Sequence, residues 1–251
     1  MKKILLSVVV IVCFNTSVFS NIQLTAANLG NNQIAIGYNV TSGSNVPVGF
    51  GLNLSLTGGA TFESVVSTSP LFPLFPSTIA IDSTGCITNW GTPVSPMFNP
   101  GSMGTLGSSG ITIEMSSDMA YLEGSGPLDL NHDGLIDLFD YFVFVNNWLI
   151  DGFEVEGDFN QDGLVNMLDM ALLADSQSIG QNLSQLLVLE IDLNGATNPM
   201  LCIAPESTYR GGVVADDGTI FTVDPFLIIV PEPCTLILIS IGGMILRKRS
   251  K

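Results

Sequence analysis

The sequence predicts a mainly β protein: an antiparallel β-sandwich that carries an inserted pair of loop–helix repeats, with a short hydrophobic helix at each end. Three observations predict it. Residues 22–124 hold short runs of alternating apolar and polar residues separated by Gly, Asn, Ser and Pro, the pattern of half-buried strands joined by turns. Residues 129–140 read DLNHDGLIDLFD and residues 158–169 read DFNQDGLVNMLD, each running into an apolar stretch. The strand pattern then returns. The chain divides accordingly into 1–20, a first β part over 21–125, the repeat pair over 126–178, remaining strands over 179–229, and a tail over 230–251.

The first segment, MKKILLSVVVIVCFNTSVFS, has two lysines, an apolar run and small residues at its end. It reads as a secretory signal peptide cut before Asn21. Export changes the reading of the cysteines. Cys13 leaves with the signal and Cys234 lies in the tail, so Cys86 and Cys202 remain in an oxidising compartment as either a bridge or two thiols.

Candidate strands are IQLTAAN (22–28), NQIAIGYNV (32–40), VPVGFGLNLSLT (46–57), TFESVVS (61–67), STIAID (77–82) and GITIEM (110–115), with turns at NLGNNQ and TSGSNVP. After the repeats come QLLVLEIDLNG (185–195), PMLCIAP (199–205) and RGGVVADDGTIFTVD (210–224). These supply two or three strands, too few for a second sandwich, so they are expected to complete the first. A Cys86–Cys202 bridge would join the two halves.

The formal net charge is −16. Lys2, Lys3, Arg247, Lys248, Arg249 and Lys251 lie at the ends, leaving Arg210 as the one cation between them. Such a chain has nothing to neutralise a phosphate backbone, which excludes nucleic acid as a partner. Arg210 reads as the structural partner of a carboxylate. Most of the 23 acids crowd between Glu114 and Asp175, which points to bound cations or a surface kept soluble by repulsion.

The repeated dodecapeptide carries the chemistry. Asp129, Asn131 and Asp133 place oxygens at alternate positions, Gly134 allows the sharp turn, the Leu135 carbonyl follows, and Asp137 and Asp140 close the set. The second copy offers Asp158, Asn160, Asp162, the Leu164 carbonyl, Asn166 and Asp169 around Gly163. All-oxygen sets at this spacing suit Ca²⁺, one ion per loop and two per chain. Without metal the carboxylates repel one another, so cation binding would be much of the folding free energy. Ile136 and Val165 are expected to pair the loops back to back. Leu138, Phe142, Val145 and Leu149, and then Leu168 and Leu172, recur at helical spacing as the expected buried stripes.

Asp at position twelve, and the helix-breaking GSGP before Leu128, separate the pair from ordinary EF-hands. Over about residues 127–177 it resembles a type I dockerin. That resemblance implies a fold around two Ca²⁺ ions and a cohesin-like partner domain. Familiar dockerins often place Ser and Thr at positions ten and eleven. Here those positions hold Leu138, Phe139, Met167 and Leu168, so an intramolecular interface is an alternative to docking on another protein.

The tail reads VPEPCTLILISIGGMILRKRSK, with Pro-Glu-Pro, a short apolar run and a basic end. It resembles a PEP-CTERM sorting signal. That implies a bacterial exported protein, transient membrane association through the tail, and cleavage by an exosortase-type processing enzyme. The β part resembles, more loosely, cohesin-like or carbohydrate-binding modules.

The expected function is non-catalytic: an exported calcium-binding protein of the cell surface or extracellular matrix, structural, adhesive or polysaccharide-associated. One alternative is a docking module for a cohesin-like partner. The other is a carbohydrate-active enzyme, for which the β part offers Glu63, Asp82, Glu190 and Asp192. Glu154 and Glu156 sit two apart in an acidic linker, GTLGSSG lacks the lysine of a phosphate loop, and His132 points outward at loop position four. Trp90, Trp148, Tyr121 and Tyr209 read as core residues or sugar-stacking surfaces.

Overall fold

The computed structural model describes residues 22–40, 45–120, 122–123, 126–152, 155–174, 184–221, 223 and 225–230. The signal-like segment and the tail beyond Val230 lie outside the described residues, as do Tyr121 and Glu154. Along the chain run β1 (Ile22–Gly30), β2 (Gln33–Val40), β3 (Pro47–Leu56), β4 (Thr61–Thr68), β5 (Ala80–Ile81), β6 (Ile87–Asn89), β7 (Gly110–Ser116), β8 (Leu122–Glu123), β9 (Leu135–Ile136), α1 (Leu138–Asn146), α2 (Met167–Leu173), β10 (Ser184–Asp192), β11 (Met200–Pro205), β12 (Val213–Ala215) and β13 (Phe226–Ile229). The protein is mainly β and its sheets are antiparallel. No helix among the described residues is long and apolar enough to cross a membrane.

One sheet has the order β1–β2–β10–β4. In the other, β3 is central: β7 lines one edge, β11 and β12 share the opposite edge, and β13 lies beyond β11. Strands from after the helices thus pair with strands from before them. The described residues after the helices contribute four strands, β10 to β13, where the sequence pattern suggests two or three, because the short β13 follows β12 without a periodic signal of its own.

The alternation in β3 explains the layering. Val48, Phe50, Leu52, Leu54 and Leu56 are buried in the core, interleaved with Gly49, Gly51, Asn53 and Ser55. The apolar set joins one hydrophobic cluster with Ile34, Ile36 and Tyr38 of β2 and with Leu187, Leu189 and Ile191 of β10. The rings of Tyr38 and Phe50 lie 5.2 Å apart, and Phe72 meets Phe50 edge-on at 5.0 Å. Each such side chain removed from water contributes ~1.5–3 kcal/mol.

The stretch from 69 to 109 departs from the sequence reading. Only Ala80–Ile81 of the expected strand at STIAID pairs, with β6. Pro70, Pro73, Pro76, Pro93, Pro96 and Pro100 deny the segment a regular ladder. It still buries Phe72, Leu74, Phe75 and Val94. Its main chain also covers the outer edge of β7: Ser95 N–H donates to Thr112 O and Glu114 N–H to Pro93 O, both at 2.8 Å. An open strand edge is thereby closed.

Arg210 is fully buried in the loop between β11 and β12. Its Nε donates to Glu114 of β7, and Nη1 lies 3.5 Å from Glu206. Pro100 O, Ser95 Oγ and Ser102 Oγ take the remaining guanidinium hydrogens at 2.6, 3.0 and 2.9 Å. Ser77 donates its hydroxyl to Glu114. The lone cation therefore has the structural role read from the sequence. Gly51, opposite Glu114 in the ladder, admits it: a Cβ there would stand 2.5 Å from Arg210 Cβ. Cys86 and Cys202 are both free thiols, so the bridge between halves is not formed. Strand pairing of β10, β11 and β12 joins the halves instead.

Gly51→Ala is expected to cost ~1–3 kcal/mol through overpacking. Arg210→Met is expected to cost ~3–5 kcal/mol, because it strands Glu114 as a buried charge. Urea unfolding would measure both, and adding Glu114→Gln to Arg210→Met should recover part of the loss.

Candidate metal centres

The two loops fold alike, contact by contact. Position four takes a left-handed conformation in each, His132 at φ 61° and Gln161 at φ 59°, and so does the position-six glycine, Gly134 at 91° and Gly163 at 90°. The Asp129 carboxylate accepts from the N–H groups of Asp133 and Gly134, both at 3.0 Å, and Asp158 does the same for Asp162 and Gly163 at 3.2 and 3.0 Å. Asn131 and Asn160 each accept from the N–H two residues on at 2.9 Å. Asp133 accepts from Leu135 at 2.9 Å and Asp162 from Leu164 at 3.0 Å.

Position twelve closes each loop and starts each helix. Asp140 accepts from the N–H groups of Leu130, Asn131 and Asp137 at 2.7, 3.2 and 2.8 Å. Asp169 accepts from Phe159, Asn160 and Asn166 at 2.7, 3.1 and 2.9 Å. Asp137 and Asn166 are the N-caps of α1 and α2, so both helices begin with a reciprocal capping box. The same side chain serves as loop closure and as helix start, which is why loop and helix repeat as one unit.

This closure also sets the rotation of each helix, and the expected stripes are corrected. The deeply buried residues of α1 are Asp140, Tyr141 and Phe144, followed by Trp148 and Leu149, while Leu138, Phe142 and Val145 are only half-buried. On α2 they are Met167, Asp169, Met170, Ala171 and Leu173; Leu172 is 45% exposed. Turning Asp140 and Asp169 inward carries their neighbours in with them.

The side chains of Ile136 and Val165 are both buried in the one hydrophobic cluster, and their main chains have separate partners. Ile136 pairs with Leu122 in the β8–β9 ladder, and Val165 O accepts from Leu149 N–H at 2.9 Å. Each loop leans on the segment preceding it in the chain. Phe144 links the two repeats, with Tyr141, Trp148 and Phe159 at ring separations of 6.0, 5.6 and 6.2 Å.

The pair leaves and rejoins the β part at one place: Met119 bridges Ala174, and Ala120 N–H donates to Leu173 O at 2.7 Å. It packs on the glycine-bearing face of β3. A Cβ on Gly49 would meet Met167 Sδ at 3.0 Å, one on Gly211 would meet Leu168 Cγ at 3.1 Å, and one on Gly85 would meet the Phe139 ring at 2.9 Å. Phe139, Met167 and Leu168, three of the four residues at positions ten and eleven, are thus turned toward the β part. Trp148 Nε1 donates to Glu114 at 3.3 Å, which ties the turn after α1 to the Arg210 network.

The donor set fits a hard cation. Asp129, Asp140 and Asp169 are 2%, 0% and 0% exposed, and the one described Lys or Arg is occupied elsewhere. Buried carboxylates with only N–H partners call for a counter-charge. Burial pushes the Asp169 carboxyl up to about 6, against the opposing hydrogen bonds from Asn166, Asn160 and Phe159. A cation would compete with that proton. Among the described residues no three His, Cys, Asp or Glu side chains converge as a metal group by themselves. Each loop's set also needs an amide and a main-chain oxygen, at Asn131 and Leu135 or at Asn160, Leu164 and Asn166. Asn131, Asp133, Asn160 and Asp162 lie exposed, while Asp137 and Asp158 are half-buried.

Three of the other candidate acids accept hydrogen bonds. Asp82 accepts from Thr84 and Cys86 in its own turn, and the Thr84 hydroxyl holds its carboxyl below the usual range. Glu190 accepts from Ser64 at 2.9 Å and Asp192 from Asn194 N–H at 2.8 Å. Glu63 is exposed on β4. The sequence reading missed Glu114 and Glu206 as partners of Arg210, since they lie 96 and 4 residues away with no shared motif. Comparison of the chain with family models, with curated proteins and with solved structures finds no match.

Asp169→Ala removes three hydrogen-bond acceptances and the capping box. It is expected to cost ~1–2 kcal/mol even in chelator, as read by thermal melts. In calcium, calorimetry is expected to count one ion fewer than for the unaltered chain.

Proposed function

We propose that this chain is a non-catalytic, exported, calcium-binding protein of the cell surface or extracellular matrix, with a structural or adhesive role. In this reading a dockerin-like repeat pair is inserted into a cohesin-like or carbohydrate-binding-like β-sandwich. Each repeat holds one Ca²⁺, and the tail is processed by an exosortase-type enzyme. The observation that carries the reading is the duplicated loop: two oxygen-rich dodecapeptides with the same backbone turns, the same N–H acceptances and the same buried closing aspartate.

In each loop, carboxylate and amide oxygens together with the Leu135 or Leu164 carbonyl would hold the ion. Its charge would offset the buried carboxylates, and the helices would be stabilised with it. The pair then acts in cis, as a calcium-dependent brace on the outer face of the β3 sheet. Burial of Met167, and the seating of Phe139 and Leu168 on Gly85 and Gly211, favour the cis arrangement. A cohesin-like partner in trans would have to use other side chains, such as the exposed Leu172.

Calorimetric titration of the full chain with Ca²⁺ is expected to give two ions per chain. Chelation is expected to lower the melting temperature, since ~100-fold excess over the dissociation constant contributes ~2.7 kcal/mol per site. Heatless titration, together with identical melts in calcium and chelator, would refute the reading.

A further inference from the structure

The segment between Asp82 and Glu114 contains no charged residue. It nonetheless exposes Trp90, Met97 and Phe98 at 60%, 67% and 87%. Two attachments bring their turns together. The Ser77 hydroxyl accepts from Asn99 Nδ2 at 2.9 Å, next to Phe98. The adjacent Thr78 hydroxyl donates to Thr92 O at 2.5 Å and accepts from Thr92 N–H at 2.9 Å, two residues from Trp90. Tyr209, 38% exposed, lies beside Gly101, three residues after Phe98: a Cβ on Gly101 would meet its ring at 2.6 Å. Underneath, Arg210 grips Pro100 O and the Ser95 and Ser102 hydroxyls. The aromatic side chains therefore stand on pinned backbone, which lowers the ordering cost of any ligand they take.

We propose that this face binds a neutral polysaccharide, with the exposed rings stacking on the apolar faces of sugar residues and Asn89 and Thr92 meeting their hydroxyls. Charge narrows the partner. The one Lys or Arg among the described residues is buried, so this surface has no such cation to offer a uronate, sulfate or phosphate group. A basic polymer would be drawn to the acidic loops instead. An uncharged partner remains, and rings with a hydroxyl and amide rim suit one that combines C–H faces with hydroxyls. The inference deepens the surface-associated reading above and does not depend on calcium.

Native affinity electrophoresis of the full chain, run in calcium, tests it with hydroxyethylcellulose, galactomannan and arabinoxylan in the gel and polygalacturonate as the acidic control. The expected result is retardation by at least one neutral polymer and none by polygalacturonate. Trp90→Ala and Phe98→Ala should each weaken it about tenfold. Phe98→Tyr should retain it, and Leu29→Ala on β1 should leave it unchanged. No retardation by any neutral polymer, or retardation indifferent to both alanine variants, overturns the proposal. So does a concentration-dependent dimer in sedimentation, or binding to phosphatidylcholine vesicles, abolished by the same two variants; the face would then belong to a second copy or to a membrane. A heatless calcium titration would remove the calcium reading and leave this result standing.

Discussion

Negative charge is buried in this protein with almost no positive charge to meet it. Glu114, Glu206, Asp129, Asp140 and Asp169 are all nearly inaccessible, and Arg210 is the one lysine or arginine among the described residues. A buried carboxylate costs several kcal/mol unless its lone pairs are taken up. Two solutions coexist in one chain. In the β part, a single guanidinium is shared between two glutamates, two serine hydroxyls and a carbonyl. In the loops, main-chain N–H groups converge on Asp129, Asp140 and Asp169, and under the proposed function a hard cation would add the missing charge.

Both solutions depend on the outer face of β3. Gly49 and Gly51 remove side chains where Met167 and Arg210 approach, while the intervening Val48, Phe50 and Leu52 fill the core on the other side. One strand thereby holds together the hydrophobic interior, the ion-pair network and the seat of α2. Trp148 couples them further, since its indole N–H reaches the same Glu114 that Arg210 neutralises. Trp148, just after α1, Glu114, Arg210 and the Pro100 carbonyl two residues beyond Phe98 thus form one run of hydrogen-bonded groups.

Alternating apolar residues make β1, β2, β3, β4, β7 and β10 legible in the sequence, because a half-buried strand repeats every second residue. The loops are equally legible, because their oxygen donors, glycines and helix caps are neighbours in the chain. The rotation of α1 and α2 is not. Leu138, Phe142 and Leu172 look like the buried stripe by periodicity, yet closing the loops with Asp140 and Asp169 turns a different set inward. The proline-rich stretch from 69 to 109 is opaque for another reason: it has no period, and it orders by capping an edge whose position only β7 defines.

The sequence by itself determined what depends on neighbours along the chain: strand alternation, the duplicated oxygen-rich loops, the glycines that permit their turns, and the scarcity of cations. Only the tertiary structure decided which carboxylates Arg210 would meet, that Cys86 and Cys202 would remain thiols, which main-chain partners Ile136 and Val165 would take, and that the repeat pair would lie on β3. These are choices among residues far apart in sequence. They are settled by which buried charge can be satisfied and which glycine leaves room, and neither is visible until the chain has folded.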